Sequence, residues 1–218
     1  MKGCPYTRAG RLVFLPVWKA VRPLFKALVK IEAEGLERVP EGPCIVAANH
    51  RSNLDPPVLN AVFPEPLFFL AKEELFKGPL GLVMPHLRTL PVRKGLQDAK
   101  TLERALELLS RGCKLAIFPE GMRAPPGTFL RPKPGVGLLA VKSGMPVLPV
   151  LIEGTDRVLP RGAYVPRPHR GVRVVVGEPL SFKGLPHKKE VYREVAERVM
   201  EAVKALAARE PARTGKPP

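Results

Sequence analysis

The sequence is poor in acidic residues, aromatic residues and cysteine, and each shortage excludes a class of protein. There are 20 Asp and Glu against 36 Lys and Arg, so the net charge is +16. A surface this basic predicts a polyanionic partner, either nucleic acid or an anionic membrane. Aromatic residues make up only 6%, which disfavours single-strand binding by base stacking. The three cysteines lack metal-ligand spacing, so neither a disulfide framework nor a cysteine-ligated metal is expected.

Long apolar runs and amide side chains are also scarce. No stretch approaches about 20 uninterrupted apolar residues, which excludes a conventional membrane span on sequence grounds. Three Asn and one Gln stand against 27 Pro, a balance typical of thermophile proteins. At 218 residues and 45% hydrophobic content, the chain suits one globular domain with a sizeable core.

Residues 11–30 predict an amphipathic helix in a membrane-associating segment at residues 1–34. One face carries Phe14, Val17, Trp18, Val21, Leu24, Phe25 and Leu28, and the other carries Lys19, Arg22, Lys26 and Lys30. Basic residues opposite apolar and aromatic ones favour a helix lying in a membrane interface, attached peripherally or monotopically. The alternative is an amphipathic helix packed on its own domain, and Pro16 and Pro23 predict kinks in either case.

After residue 34, short apolar runs alternate with helical patterns. Strands are predicted at 43–48, 67–70, 89–92, 115–118, 147–152 and 172–176, and helices at 56–63, 73–82, 98–110, 136–142 and 187–208. This alternation predicts an α/β fold, with a mostly parallel or mixed sheet covered by helices. The domain is expected to span 35–209, with a long loop at 155–171 over the site and a disordered tail at 210–218.

Two polar clusters follow predicted buried strands. The first, Asn49–Asp55, places His50 five positions before Asp55, and the second is Phe118–Arg123. Side chains at the ends of adjacent strands meet in one crevice of an α/β sheet. A neutral imidazole held by a carboxylate is a general base, and a nearby arginine binds an anion. A general base beside an anion-binding arginine indicates acyl transfer onto the hydroxyl of a phosphorylated acceptor.

The order of the motifs adds a resemblance to a known family. The motifs are NHRSNLD, AKEELFKGPLG, LPVRKG, FPEGMRAP, RPKPG and MPVLPVLIEG, in that order. The chain thereby resembles the glycerolipid acyltransferases over residues 35–180, most of all the bacterial 1-acyl-sn-glycerol-3-phosphate acyltransferases. The resemblance implies a glycerol-phosphate acyltransferase-like fold, and transfer of a fatty acyl group from a thioester to the sn-2 hydroxyl of lysophosphatidic acid. It implies acyl-CoA or acyl-ACP as co-substrate, no cofactor or metal, and a place on the cytoplasmic face of the cell membrane.

The resemblance also assigns roles. His50 matches the catalytic histidine, and Asp55 its partner carboxylate. The positions implied in substrate binding are Arg93, Glu120, Gly121, Arg123 and Pro149, the last on the acyl side. Lys72 and Lys133 lie near the motifs and are added as substrate-binding candidates. The chain departs from the family at Met122, where threonine is typical, and at Leu90–Arg93, where an aromatic-x-Asp is missing.

Several alternatives remain open at this point. A direct reaction needs no acyl-enzyme, and Ser52 is the candidate nucleophile for a covalent route. Glu120 is expected either to contact an acceptor hydroxyl or to position Arg123. The acceptor is lysophosphatidic acid, with glycerol 3-phosphate or another lysophospholipid as the runner-up. No nucleic-acid partner is expected. Two classes of protein compete with the enzyme: a nucleic-acid-binding module that contacts phosphates through residues 157–173, and a non-catalytic membrane-surface protein.

Overall fold

The computed structural model describes residues 19, 23, 29–77, 88–93, 95–163, 165–167 and 171–208. The strands in this part of the chain are β1 (Ile31–Glu34), β2 (Ile45–Ala48), β3 (Phe68–Lys72), β4 (Thr89–Val92), β5 (Leu115–Ile117), β6 (Val147–Glu153) and β7 (Val172–Val176). The α-helices are α1 (Asp55–Val62), α2 (Ala99–Ser110), α3 (Gly135–Ser143), α4 (Thr155–Val158) and α5 (Lys189–Ala207). Short 3-10 helices occupy Leu36–Arg38, Glu73–Phe76 and Gly95–Gln97.

The strands form a 7-stranded sheet in the order β1-β7-β6-β2-β5-β3-β4. Strands β2 to β6 run parallel to their neighbours among themselves, and only the β6–β7 pair of the described sheet is antiparallel. The predicted α/β class with a mostly parallel sheet is confirmed. Because β2, β3, β4, β5 and β6 point the same way, their carboxyl ends share one edge. We call it the carboxyl edge.

Helices cover both faces of the sheet because the central strands are apolar on both sides. Along β2, Val46 and Ala48 face the layer that holds α1, whereas Ile45 and Ala47 face the layer of α2, α3 and α5. All four side chains are completely buried. The α3–α5 contact is close, since a Cβ at Gly137 would lie 2.0 Å from the Tyr192 carbonyl oxygen. Helices α3 and α5 therefore pack directly against each other on this face of the sheet.

Among the strands and α-helices, two elements were not predicted. Strand β1 extends the sheet to Ile31, on the N-terminal side of the expected boundary at residue 35, because its residues pair with β7 in parallel register. Helix α4 forms the start of the stretch predicted as the loop 155–171. The predicted helix at 73–82 begins as the 3-10 helix Glu73–Phe76, and its remainder lies largely outside the described residues.

The predicted amphipathic helix at 11–30 and the disordered tail at 210–218 lie almost entirely outside the described residues. Within those that are described, no helix is long and apolar enough to cross a bilayer. Cys44 is a buried free thiol. Cys113 differs from the expectation of unpaired cysteines, because it is disulfide-bonded.

Candidate active site

The His50–Asp55 pair lies at the carboxyl edge, in the turn between β2 and α1. Asp55 is the first residue of α1 and is completely buried. Its Oδ2 lies 2.7 Å from His50 Nδ1 and accepts the backbone N–H groups of Arg51 at 2.7 Å and Ser52 at 2.9 Å. Both prolines after Asp55 occupy the first turn of α1, where the missing N–H groups have no intrahelical partner to lose. The five-residue spacing thus closes one compact turn.

The His50 ring packs against a neighbouring aromatic ring, and part of its side chain is exposed. It stacks on Phe118, with ring centroids 4.1 Å apart and planes inclined by 17°. Its side chain is 18% exposed. When Nδ1 donates to Asp55, Nε2 is the nitrogen with a free lone pair. Phe118 directly follows β5, so the two predicted motifs meet across adjacent parallel strands.

Glu120 holds the two motif loops together. Its Oε1 accepts the backbone N–H of His50 at 2.9 Å, and its Oε2 accepts that of Leu130 at 2.6 Å. The residue is 2% exposed. The Ala124 N–H donates back to the His50 carbonyl oxygen at 2.7 Å. Both carboxylate oxygens of Glu120 are thus used on backbone amides, which gives it a positioning role, and the acceptor contact expected from the sequence stays a prediction.

Gly121 makes room for a lysine. It has a φ of +69°, a conformation that favours glycine. A Cβ there would lie 2.8 Å from both Cε and Nζ of Lys133, so the lysine chain crosses directly over the glycine. The Lys133 backbone N–H also donates to the Pro119 carbonyl oxygen at 2.8 Å. Lys133 therefore packs against the loop of the second motif. Arg123 is half-buried and directly precedes Ala124, whose N–H donates to the His50 carbonyl oxygen.

Lys72, Arg93 and Pro149 lie farther from this centre. Lys72 ends β3, and Arg93 follows β4, both at the carboxyl edge. Because β4 is three strands from β2, its backbone lies roughly 14 Å to the side, at about 4.8 Å per strand. Arg93 Nε pairs with Glu73 Oε2 at 3.2 Å, and the arginine side chain is 79% exposed. Pro149 is buried within β6 beside Gly177, where a Cβ would lie 2.9 Å from Pro149 Cγ and 3.3 Å from Leu206 Cδ2.

Sequence reasoning missed two residues that complete the site. Thr155 donates from Oγ1 to Asp55 Oδ1 at 2.5 Å, and both residues are completely buried. Asn49 donates to the Ile152 carbonyl oxygen at 2.9 Å and accepts the Ile152 N–H at 2.7 Å. Asn49 belongs to a recognised motif, but Thr155 was treated only as loop. The sequence carried no local signal for the Thr155 contact, because the pairing of β6 beside β2, which brings their carboxyl ends together, is visible only in the structure.

The candidate nucleophile Ser52 is engaged elsewhere, and the buried thiol of Cys44 is not activated. Ser52 is completely buried, and its Oγ donates to the Leu159 carbonyl oxygen at 2.8 Å while accepting the Leu54 N–H at 3.2 Å. Burial raises the pKa of the Cys44 thiol to about 12, with Lys114 opposing the shift and Glu65 adding to it. A thiol with that pKa carries almost no thiolate at neutral pH. Neither side chain has the environment of an activated nucleophile.

This chain is similar to known proteins. The family model described as Acyltransferase matches residues 30–153. The chain belongs to the Acyltransferase family. The 1-acyl-sn-glycerophosphate (LPA) acyltransferase PlsC of Thermotoga maritima has a similar crystal structure, with a TM-score of 0.74 and 33% identity. The match covers 94% of this acyltransferase chain and 84% of PlsC.

Curated relatives agree on the family and differ in acceptor. A chloroplastic 1-acyl-sn-glycerol-3-phosphate acyltransferase of Brassica napus is 31% identical over 156 residues, which cover 69% of this chain and 45% of the relative. A lyso-ornithine lipid O-acyltransferase of Pseudomonas aeruginosa is 32% identical over 200 residues, covering 84% of this chain and 76% of the relative. The chain spans about half the length of the chloroplastic relatives it matches. The family predicted from the motifs is confirmed.

Proposed function

We propose that this chain is a 1-acyl-sn-glycerol-3-phosphate acyltransferase, with His50 as general base and Asp55 as its carboxylate partner. The 2.7 Å contact between His50 Nδ1 and the fully buried Asp55 carries the proposal. A buried carboxylate on Nδ1 fixes the imidazole tautomer and stabilises the imidazolium that forms when Nε2 takes a proton, as in serine hydrolases.

The proposed reaction is direct. Nε2 of His50 removes the proton from the sn-2 hydroxyl of lysophosphatidic acid, and the hydroxyl oxygen attacks the thioester carbonyl carbon. A C–O bond forms, the tetrahedral intermediate collapses, and the C–S bond breaks. The imidazolium returns its proton to the leaving thiolate, which gives phosphatidic acid and a free thiol. The donor is a coenzyme A or acyl carrier protein thioester, and Ser52 takes no part because its hydroxyl is buried and engaged.

The acceptor phosphate is proposed to meet the cations of the carboxyl edge. Arg123 and Lys133 belong to the loop that contacts His50, and Lys72 and Arg93 extend the basic edge along β3 and β4. Basic side chains of this kind bind phosphate through charge-assisted hydrogen bonds. Gly121 contributes by admitting Lys133, and Pro149 contributes by shaping the sheet beneath the acyl side.

The membrane is the proposed partner of the same edge. The large apolar side chains exposed in the described part of the chain are Leu75, Met122 and Val165. Each lies in a segment that follows the carboxyl end of a parallel strand, namely β3, β5 and β6. Exposed apolar residues beside cations favour an anionic bilayer interface, where the apolar parts are buried and the cations meet head groups. We infer peripheral attachment at the cytoplasmic face of the membrane.

A second acceptor class follows from the site and its relatives. Arg93, one of the expected phosphate ligands, is already paired with Glu73. The match to the relative from Pseudomonas aeruginosa named a lyso-ornithine lipid O-acyltransferase covers 76% of that relative, against 45% of the chloroplastic relative from Brassica napus. The alternative is therefore an acyltransferase acting on another lysolipid, or on glycerol 3-phosphate.

The test is a thiol-release assay on purified protein. Acyl-CoA and acyl-ACP are each offered with lysophosphatidic acid, glycerol 3-phosphate, lysophosphatidylcholine and lyso-ornithine lipid. Lysophosphatidic acid should give the highest kcat/KM, and His50→Ala should lower the rate by at least about 1000-fold, because the general base is removed. Asp55→Asn should be severe but smaller. An active His50→Ala enzyme contradicts the mechanism, and preference for a phosphate-free acceptor contradicts the assigned substrate.

A further inference from the structure

The second oxygen of the Asp55 carboxylate has its partner in a different part of the fold. Oδ2 is engaged locally, by His50 Nδ1 and the Arg51 and Ser52 amides. Within the described residues, the hydrogen bond to Oδ1 comes from Thr155, 100 positions along the chain. With its two oxygens held from opposite sides, the carboxylate has a fixed plane.

The position of Thr155 is itself fixed. It starts α4 after Gly154, whose φ is +88° and where a Cβ would lie 2.5 Å from the Gly171 carbonyl oxygen. One turn later, the Leu159 N–H donates to the Thr155 carbonyl oxygen at 2.8 Å, and the Leu159 carbonyl oxygen accepts the Ser52 hydroxyl at 2.8 Å. The segment Thr155–Leu159 therefore contacts the turn of His50 and Asp55 twice through side-chain hydroxyls.

We propose that Thr155 is a positioning residue for the acyl transfer, which orients the Asp55 carboxylate and through it the His50 imidazole. Rotation of the carboxylate about its Cβ–Cγ bond would take Oδ2 out of line with Nδ1. The Thr155 hydroxyl opposes that rotation, because a buried carboxylate oxygen that loses its donor is left unsatisfied. Thr155 touches neither substrate and acts only through Asp55. The inference rests on the proposed function.

The kinetic test compares two hydroxyl-to-carboxylate hydrogen bonds of the same kind. Thr155→Val should lower kcat about 10- to 100-fold, the effect of losing one hydrogen bond to a charged group, with KM values for donor and acceptor within about threefold. Thr155→Ser keeps the hydroxyl and should restore kcat to within about threefold. Thr101→Val is the matched control, because Thr101 Oγ1 donates to Asp98 Oδ2 at 3.0 Å in α2, outside the site. It should leave kcat unchanged even where it lowers Tm.

A double-mutant cycle tests whether Thr155 acts through Asp55. Adding Thr155→Val to Asp55→Ala should cost no further activity, because the partner carboxylate is gone. Equal losses in both backgrounds would overturn the proposal, as would Thr155→Val behaving like Thr101→Val. If Thr155→Val does not fold, Thr155→Cys keeps a weak donor and should give an intermediate kcat.

A spectroscopic measurement separates this proposal from the proposed function. In protein labelled with 15N at histidine, the His50 Nδ1–H resonance, identified by its loss in His50→Gln, reports the bond to Asp55 without turnover. Thr155→Val should move it upfield or broaden it, and Thr155→Ser should not. An unchanged resonance overturns the role of Thr155. If the wild type acylates none of the acceptors while the resonance moves, the proposed function fails and the positioning role stands.

Discussion

At the scale of single residues, the candidate phosphate ligands differ in what already binds them. Arg93 pairs with Glu73 at 3.2 Å and its side chain is 79% exposed, so water screens its charge. Lys133 crosses Gly121, and Arg123 directly precedes the amide that donates to the His50 carbonyl oxygen. An acceptor whose hydroxyl contacts His50 therefore lies beside the protein loop that carries Arg123 and Lys133. Arg93 follows β4, which is three strands away from β2 in the sheet.

Arg123→Ala and Lys133→Ala should each raise the KM for lysophosphatidic acid roughly 10- to 100-fold, with little change in the donor KM. Losing a hydrogen bond to a charged group costs about 1.5–3 kcal/mol, which sets that range. Arg93→Ala should have a smaller effect, because its charge is screened and already paired. Steady-state kinetics with each substrate varied in turn measure the split.

Arg111→Ala is the control for charge alone. Arg111 pairs with Glu107 at the end of α2, before β5 begins, and thus on the edge opposite the site. It removes the same charge and should leave the acceptor KM unchanged. Equal rises in donor and acceptor KM for Arg123→Ala would instead indicate damage to the loop as a whole.

At the scale of secondary structure, α2 has a titratable cap. Asp98 Oδ2 accepts the Thr101 backbone N–H at 3.1 Å and the Thr101 hydroxyl at 3.0 Å. These hydrogen bonds favour the charged carboxylate and lower the pKa of Asp98 below its usual 3.8, against a small opposing effect of desolvation. Since the folded-state pKa is the lower one, the stabilisation is present above pH 3.8 and is lost as the pH falls through the folded-state pKa.

Asp98→Asn should flatten the acid end of the stability curve. Asparagine caps a helix about as well as aspartate but does not titrate. The variant should resemble the wild type near neutral pH and lose less Tm on acidification below the usual pKa of 3.8. Thermal unfolding followed by circular dichroism across this pH range measures the difference. Parallel curves for the two proteins would show that Asp98 contributes nothing to the acid response.

At the scale of the whole molecule, the net charge and the exposed apolar side chains together bear on which anionic partner the protein binds. The net charge of +16 favours anionic surfaces of either kind, membrane or nucleic acid. The apolar side chains Leu75, Met122 and Val165 distinguish the two, because they gain nothing from a phosphate backbone in water. The loop that carries Val165 returns to α4, where the Arg167 N–H donates to the Val158 carbonyl oxygen at 2.7 Å. It therefore stays beside the catalytic turn.

The full chain should bind vesicles that contain anionic lipid, and the binding should weaken with salt without vanishing. Each basic residue near the surface adds about 1 kcal/mol that salt screens, whereas the apolar contribution persists. Replacing Leu75, Met122 and Val165 together by Ser should weaken binding in high salt by at least about tenfold, which requires a loss of only about 0.5 kcal/mol per side chain. Vesicle sedimentation measures both effects.

Trp18, the only tryptophan, tests the N-terminal segment in the same titration. Its fluorescence should shift to the blue on addition of vesicles and stay unchanged with duplex DNA. A response to DNA but not to lipid would contradict the membrane proposal and favour the nucleic-acid class.

The sequence alone determined the elements whose signals are local. Strands β4 and β7 begin and end where the apolar runs predicted, and α2 begins after its Asp98 cap. Strand β1 was missed because its four residues are recognisable as a strand only through their pairing with β7. Helix α4 was missed because a single turn in a proline-rich stretch has too few residues to show a helical period.

The contact between His50 and Asp55 was also predictable, because a five-residue spacing brings the two residues together within one turn. Only the tertiary structure decided which residues hold that turn. Glu120 was expected to contact an acceptor hydroxyl or to position Arg123, and the structure adds that its oxygens accept the backbone N–H groups of His50 and Leu130. Thr155 meets Asp55 only because the sheet places β6 beside β2. The Glu120–His50 and Thr155–Asp55 contacts join residues 70 and 100 positions apart, and no local pattern records them.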